Sequence, residues 1–483
     1  MSRRLETIGI IWHTVSIPFF FTLCLFLVYL GWVSWLLIIL PYFIWWYGFD
    51  LHTPTNGKAN YRVRNWVKNL IVWEWFVNYF PIRVHKSCEF EPTFSEVVED
   101  EDNLDDDDEE DLINENSTTI VDKVFQSLGL GKRLNKVDNV KYRTVSNGPR
   151  YVFGYHPHGV ISMGVMGLFA TNILRNEAFE PPARFLRFLF YDPSKHKPLL
   201  PNIGNIFPLT LNTQFTLPFY RDYLLSLGLT SASAVNIKSL INNGDNSVCI
   251  VVGGAQESLL NSGVTNHPTV GIGYKKLAEK QSQEDEIIKE NNERNVSKEI
   301  KLVLNKRKGF VKLAIELGNI SLVPIFGFGE ADIYNIIQPK PGTIGDTFQK
   351  WLKKNFSFTL PFFSARGIFI YDFGFLPYRN PINVCIGRPI YVPPNLVQDY
   401  KRDHPEFESE YEPEREKERT ENHMKRSQSF QNLFGKKKSF KRSKVPQELL
   451  DHYHKLYVDE LKRVFEENKC KFGYENVVLN IVE

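Results

Sequence analysis

The stretch Tyr151-Val152-Phe153-Gly154-Tyr155-His156-Pro157-His158-Gly159 decides the fold of this chain. Its first five residues predict a buried strand, because a short apolar run bounded by turn residues is typical of such strands. Pro157 fixes its own φ and Gly159 permits backbone angles that a side chain would forbid, so a rigid turn should follow. Such a turn can hold a histidine in one orientation, as a general base requires. The simpler alternative is that these histidines are only polar residues that cap the end of the strand.

Further apolar runs alternate with helical patterns after residue 140 and predict an α/β fold. The additional strand candidates are residues 188–191, 248–252, 322–326 and 368–371. Helices are predicted over residues 307–317, closed by Gly318, and over residues 449–472. Strands separated by helices imply parallel pairs, and the ligand crevice of such a sheet lies beyond the carboxyl ends of its strands.

The N-terminus predicts a membrane hairpin. Residues 7–49 contain no Asp, Glu, Lys or Arg. One straight helix of this length would exceed the ~30 Å hydrocarbon core of a bilayer, so two passes that turn near Gly31 fit better. Basic residues flank the run on both sides: Arg3, Arg4, Lys58, Arg62 and Arg64. Because positive charge favours the cytosolic side, both ends of the hairpin and the body that follows are expected in the cytosol.

These patterns divide the chain into four parts. Residues 1–50 form the hairpin with a short cytosolic arm, 51–90 an aromatic membrane-proximal segment, 91–139 an acidic disordered insertion, and 140–483 the α/β domain. The acidic part holds eleven Asp or Glu within residues 99–111, which cannot bury themselves. Two polar stretches of the α/β domain, at about 275–300 and 400–446, are expected to be disordered insertions. Basic residues 436–444 could contact anionic lipid.

The composition excludes several classes of protein. The 58 basic residues nearly balance the 56 acidic ones, so the overall charge does not indicate a nucleic-acid partner. Five widely spaced cysteines without a CxxC motif predict reduced thiols. His156 and His158 could pair on a metal, but no third ligand with suitable spacing is evident, so no metal is expected. The chain has no G-x-S-x-G elbow, which argues against a hydrolase of that type.

Several motifs together resemble those of one enzyme family. Four segments, residues 156–159, 215–221, 253–257 and 322–330, follow the order of the four blocks of glycerolipid acyltransferases. The match is closer to the diacylglycerol acyltransferase 2 family, which the chain also resembles in Tyr79-Phe80-Pro81, Arg307-Lys308-Gly309-Phe310 and Gly387-Arg388-Pro389. The resemblance covers roughly residues 65–90, 140–274, 301–395 and 449–475. It implies a glycerolipid-acyltransferase-like cytosolic α/β domain on an N-terminal two-helix transmembrane hairpin.

The resemblance implies transfer of a fatty acyl group from coenzyme A to the hydroxyl of diacylglycerol, giving triacylglycerol. Monoacylglycerol, a wax alcohol or a sterol are alternative acceptors, because acceptor choice depends on pocket shape. The alternative to an enzyme is a non-catalytic scaffold protein whose hairpin acts as a membrane wedge. Acyl-CoA would be a co-substrate, and no permanently bound cofactor is expected. The expected location is the endoplasmic reticulum membrane or the lipid droplet surface, and a homodimer is left open.

The two histidines divide the catalytic work in this interpretation. We expect His158 to be the general base that takes the proton of the acceptor hydroxyl, with His156 as a supporting hydrogen-bond partner; the reverse order stays open. Related lysophospholipid acyltransferases carry an acid five residues after the histidine, but Ile161 and Met163 occupy those positions here. Glu257 is the candidate that orients the imidazole, with a carboxylate stabilised by a helix N-terminus as its alternative role.

The remaining candidate residues either bind the substrates or shape the turns of the site. Coenzyme phosphates need cations, and the oxyanion of the reaction needs N–H donors. The candidates for these contacts are Arg221, Gly253, Gly254, Arg307, Lys308 and Arg388. Structural ion pairs are the alternative for Arg221 and Arg388. Tyr79, Phe80 and Pro81 are expected either to pack around a turn or to contact substrate, while Pro157 and Gly159 shape the histidine turn.

Overall fold

The computed structural model of the chain describes residues 3–98, 142–257, 260–261, 298–337, 342–343, 345, 347, 351, 362–367, 374–404 and 445–482. The acidic run, most of both polar insertions and the strand predicted over residues 368–371 lie outside the described residues. The domain boundaries stay predictions.

The N-terminal hairpin consists of two apolar helices. Helix α1 (Arg3–Tyr29) and helix α2 (Trp32–Thr55) are each long and apolar enough to cross a membrane. Gly31 separates them with a φ of 79°, a backbone angle that favours glycine, so the predicted turn is confirmed. The first half of α1 packs on helix α3 (Ile71–Tyr79), where a side chain at Gly9 would collide with the backbone of Phe76.

An eight-stranded sheet forms the centre of the described body. Its strands are β1 (Arg83–Lys86), β4 (Arg150–His156), β5 (Ile206–Thr210), β6 (Thr230–Ser231), β7 (Ser247–Val251), β9 (Ile320–Phe328), β12 (Asn383–Ile386) and β13 (Ile390–Val392). The order is β1-β12-β9-β4-β7-β5-β6, with β13 also paired to β9. Strands β9, β4, β7, β5 and β6 run parallel, whereas β12 and β13 are antiparallel to β9. The predicted α/β class is confirmed, although the sheet is mixed because strands on the β9 side run antiparallel to it.

The remaining strands form two-stranded pairs. These are β2 (Phe94–Val98) with β3 (Tyr142–Ser146), β8 (Lys298–Val303) with β14 (Val477–Val482), and β10 (Asn335–Ile337) with β11 (Phe362–Ser364). The longer helices of the body are α4 (Tyr220–Ser226), α5 (Ala234–Gly244), α6 (Gly309–Leu317), α7 (Leu396–Asp403) and α8 (Gln447–Lys469). Alternate residues of β4 enter two hydrophobic clusters, Val152 one and Phe153 the other, so the core lies on both faces of the sheet.

Most of the strands and helices predicted after residue 140 are confirmed. Strands β4, β7 and β9 correspond to three of the predicted strands, and α6 and α8 correspond to the two predicted helices, with ends that differ by at most three residues. The strand predicted over residues 188–191 is wrong, because Arg184–Leu189 is a 3₁₀-helix and only Phe190 forms a single bridge, with Leu70. A short apolar run cannot be distinguished from a helical turn by periodicity alone. The other five strands of the sheet (β1, β5, β6, β12 and β13) and the strands of the two-stranded pairs were not predicted.

Candidate active site

The site lies at the carboxyl ends of three adjacent parallel strands. Strand β4 pairs with β7 on one side and with β9 on the other, and His156 is level with Phe326 of β9. The turns that follow the three strands carry His158, Glu257 and Glu330. Parallel strands end at one edge of a sheet, so these three chemistry-bearing turns converge there.

The imidazole of His158 is oriented by the next residue. Its Nδ1 lies 2.9 Å from the carbonyl oxygen of Gly159. A carbonyl oxygen can only accept, so Nδ1 carries the proton and donates it, which leaves Nε2 with a lone pair. Among the described residues Nε2 has no hydrogen-bond partner. Burial lowers the pKa of His158, so the neutral form that can act as a base is favoured.

His156 is fully buried and contacts the C-terminal helix. Its Nε2 lies 3.0 Å from the hydroxyl of Tyr457 on α8, and that hydroxyl donates to the Gly154 carbonyl at 3.1 Å. The hydroxyl has one proton, so His156 donates to Tyr457, and its Nδ1 has no partner among the described residues. Burial lowers the pKa of His156 to about 3, which keeps it neutral. Tyr457 was predicted only as part of an amphipathic helix.

Glu257 supports the histidine turn through the backbone. Its Oε1 accepts the N–H of His158 at 2.7 Å, and its Oε2 accepts the N–H of Val303 at 2.8 Å. Burial raises the pKa of Glu257 to about 8, while the two N–H donors and Arg307 oppose that rise. Glu257 thus bonds the backbone of the histidine turn, while the Gly159 carbonyl faces the ring, so a role of Glu257 in orienting the imidazole stays a prediction. The N–H of His158 is therefore not available as an oxyanion donor.

Glu330 is a second buried carboxylate that the sequence analysis did not single out. It accepts hydrogen bonds from the N–H of Met163 at 2.7 Å, the N–H of Gly164 at 3.0 Å and the hydroxyl of Tyr155 at 2.6 Å. Gly159 has a φ of 60°, and a side chain there would press on Glu330 at 3.2 Å. Burial raises the pKa of Glu330 to about 7, although the hydrogen bonds from these three donors oppose that rise. Glu257 and Glu330 thus hold the histidine turn from two sides.

Replacing Glu330 with glutamine is expected to lower the free energy of unfolding by about 1–3 kcal/mol, the typical cost of one buried donor left without an acceptor. The amide nitrogen of glutamine cannot accept from the N–H of Gly164, whereas the hydroxyl of Tyr155 can rotate to accept from the amide. Denaturant unfolding in detergent measures the change. Glu89→Gln is the matched control, because the side chain of Glu89 is 83% exposed and its one ion pair within the described residues is with Lys86. Equal stability of both variants would contradict a structural role for Glu330.

A cavity of about 1150 Å³ opens beside the Gly253 turn. Helices α5 and α6 and the carboxyl end of β7 form its walls. Gly253, Gly254 and Arg307 line it, as does Lys312, which the sequence analysis missed. The sequence pattern of an amphipathic helix does not indicate which of its polar residues lines a cavity, so Lys312 could not be recognised. The cavity is slightly larger than the range of about 300–1,000 Å³ that is typical of small-molecule pockets, so it has room for a ligand of that kind.

Three predicted coenzyme contacts lie elsewhere. Arg221 is fully buried, pairs with the Asp50 carboxylate and donates to the Asp50 carbonyl oxygen at 2.7 Å. Lys308 pairs with Asp451 of α8 at 2.6 Å. The exposed Arg388 donates its backbone N–H to Glu460 at 2.7 Å. The alternative of a structural ion pair therefore holds for Arg221, and none of the three lines the cavity.

In the motif Tyr79-Phe80-Pro81, Tyr79 and Phe80 are packed inside the body, whereas Pro81 is exposed. The Tyr79 hydroxyl donates to the Pro377 carbonyl at 2.6 Å, and the guanidinium of Arg379 lies over the Tyr79 ring at 4.3 Å. The Phe80 carbonyl accepts the N–H of Ile382 at 3.0 Å. These contacts join α3 to the edge of the sheet, which agrees with packing around a turn.

Comparison with known proteins places the chain in a family. The family model described as diacylglycerol acyltransferase matches residues 26–100, 136–272 and 289–439. Diacylglycerol O-acyltransferase 1 of Saccharomyces cerevisiae is 34% identical over 482 residues, which cover 99% of this chain and 86% of that protein. Diacylglycerol O-acyltransferase 1 of Eremothecium gossypii is 34% identical over 100% of this chain and 79% of that protein.

Some more distant relatives are named for a different acyl acceptor. The 2-acylglycerol O-acyltransferase 1 of Bos taurus is 26% identical over 98% of this chain and 94% of that protein. No solved structure matches the chain. The motifs, the family match and the near full-length identity agree: the chain belongs to the diacylglycerol acyltransferase family and is an O-acyltransferase.

Proposed function

We propose that the chain is an acyl-CoA:diacylglycerol O-acyltransferase that makes triacylglycerol, with His158 as the general base. The observation that carries the proposal is the orientation of His158, whose Nδ1 donates to Gly159 and whose Nε2 is left to accept a proton. An alcohol attacks a thioester efficiently only when a base removes its proton during the attack. The names of the relatives in Saccharomyces cerevisiae and Eremothecium gossypii support diacylglycerol as the acceptor.

We assign the other residues of the site as follows. His156 supports the turn through Tyr457, and Glu257 and Glu330 hold its backbone. Acyl-CoA occupies the cavity beside Gly253, where the N–H groups of Gly253 and Gly254 are candidates for the oxyanion donors. The hairpin and the aromatic segment keep the site at the endoplasmic reticulum membrane or the lipid droplet surface. Two apolar helices support the membrane association, and the cytosolic orientation follows from the flanking basic residues.

Replacing Lys312 with alanine is expected to raise the KM for acyl-CoA about tenfold, which corresponds to about 1.4 kcal/mol. Lys312 lines the cavity and has no ion pair within the described part of the chain, so its charge is available for a phosphate. Initial rates at varied acyl-CoA measure the KM. Lys455→Ala removes an exposed lysine of α8 as the control. An unchanged KM in Lys312→Ala would place the coenzyme elsewhere.

Acyl transfer by microsomes that contain the protein tests the proposed reaction. Labelled acyl-CoA is supplied with diacylglycerol, 2-monoacylglycerol, a long-chain alcohol or a sterol. Labelled triacylglycerol from diacylglycerol is the expected product. A product formed only from 2-monoacylglycerol would keep the chemistry and change the acceptor, as the name of the Bos taurus relative suggests. No product with any acceptor would contradict the proposed reaction and favour the non-catalytic scaffold.

A further inference from the structure

An exposed 3₁₀-helix lies outside the site and the hairpin. Residues Arg184–Leu189 have the sequence Arg-Phe-Leu-Arg-Phe-Leu. A 3₁₀-helix has three residues per turn, so residues three apart lie in one row along it. The two arginines form one row, the two phenylalanines a second and the two leucines a third. The sequence thus matches the period of the helix and separates its cationic row from its aromatic row.

No element of the described part of the chain covers the aromatic row. Phe185 is 73% exposed and Phe188 is 74% exposed, and Leu189 beside them is 38% exposed. Large apolar side chains that are exposed together indicate an interaction surface. The guanidinium groups of Arg184 and Arg187 are also exposed, and Arg187 pairs with Asp192 at 3.0 Å.

The helix is held rigidly to the segment that follows the hairpin. Phe190 forms a bridge with Leu70, and its ring packs against that of Phe179 in a tilted arrangement with centroids 5.3 Å apart. The N–H of Tyr191 donates to the Asn69 carbonyl at 2.8 Å. Trp66, which is half exposed, belongs to the same membrane-proximal segment. The aromatic row is therefore fixed in position relative to the part of the chain that leaves the membrane helices.

We propose that Arg184–Leu189 is a membrane contact that inserts Phe185 and Phe188 into the interface of an anionic phospholipid surface. Aromatic and leucine side chains beside arginines are the composition of segments that lie in the headgroup region. The arginines contact phosphate or carboxylate groups, while the phenyl rings enter the acyl boundary. This second attachment, beyond the hairpin, limits the rotation of the body relative to the bilayer.

Site-specific photo-crosslinking tests the proposal with the full-length protein. A benzophenone amino acid replaces Phe188 or, as the control, Tyr391, an aromatic residue of β13 that is 49% exposed. Tyr391 pairs with Ser321 at the start of β9, the end of the sheet opposite the histidine turn. Each variant is reconstituted in phosphatidylcholine vesicles with and without phosphatidylserine, both containing a radiolabelled phospholipid. Acyl transfer by each variant confirms that it is folded.

Severalfold more lipid adduct at position 188 than at position 391 is the expected result. Arg184→Glu together with Arg187→Glu should reduce the adduct at position 188 severalfold in vesicles with phosphatidylserine and change it little in phosphatidylcholine alone. Adducts at position 188 that join two copies of the chain would overturn the proposal and indicate a protein interface. Equal lipid labelling at both positions, or none at position 188, would also overturn it.

Discussion

Replacing His158 with glutamine is expected to lower the rate of acyl transfer about 10²- to 10⁴-fold, the usual contribution of a general base. Glutamine is similar in size and its amide can donate to the Gly159 carbonyl, as Nδ1 of His158 does at 2.9 Å. It carries no group that accepts a proton at neutral pH. The loss should therefore appear in kcat, with little change in the KM for acyl-CoA, when labelled triacylglycerol is followed.

Two further histidine variants make this result specific. His196 is exposed and lies outside the site, so His196→Gln should keep the parent rate. His156 is buried against Tyr457, so His156→Gln should lower thermal stability as well as activity. A fully active His158→Gln variant would exclude His158 as the base. If His156→Gln then lost activity at unchanged stability, the base would be His156.

The pH profile follows from the pKa of His158. Burial lowers this pKa from 6.5. The imidazole acts as a base only when it is neutral, and the neutral fraction falls as pH drops through the pKa. A lowered pKa moves that loss to more acidic pH, so the acid limb of kcat/KM should have its midpoint below 6.5. The residual activity of His158→Gln should lack this limb, and a midpoint above 6.5 would contradict the assignment.

Replacing Asp50 with alanine is expected to lower the free energy of unfolding by about 3–5 kcal/mol, as when one partner of a buried ion pair is removed. Arg221 is fully buried and bonds both the carboxylate and the carbonyl oxygen of Asp50. Asp222 lies 3.6 Å from Arg221 but is also bonded to Arg62, so it compensates only in part. Denaturant unfolding in detergent measures the change.

An exposed ion pair is the control for this prediction. Arg402 lies 3.4 Å from Asp399, and the two side chains are 73% and 52% exposed. Arg402→Ala should cost about 1 kcal/mol or less, because surface pairs contribute little. The double variant Asp50→Leu with Arg221→Met should recover part of the lost stability, since it leaves no buried charge unpaired. Parent-like stability of Asp50→Ala would show that this pair does not anchor α2 to the body.

Local patterns in the sequence were sufficient for much of this protein. The apolar run before His156 predicted β4, the helical spacing before Gly318 predicted α6, and the uncharged N-terminus predicted a hairpin that turns near Gly31. These features depend on neighbouring residues alone: side-chain periodicity, the backbone freedom of glycine and the exclusion of charge from a bilayer. The order of the motifs was also enough to indicate the family, which the comparisons confirm.

Only the tertiary structure decided which partners each site residue has. Glu330 lies 172 positions after His158 in the chain, and Tyr457 comes from the C-terminal helix, yet both contact the histidine turn or the strand that leads to it. Likewise, the sequence left both a coenzyme contact and a structural ion pair open for Arg221, and the structure pairs it with Asp50. A buried carboxylate or guanidinium binds whichever donors or acceptors the packing of distant segments brings within hydrogen-bonding distance. Sequence spacing carries no record of those long-range contacts, because they form only when the strands pair and the helices cover the sheet.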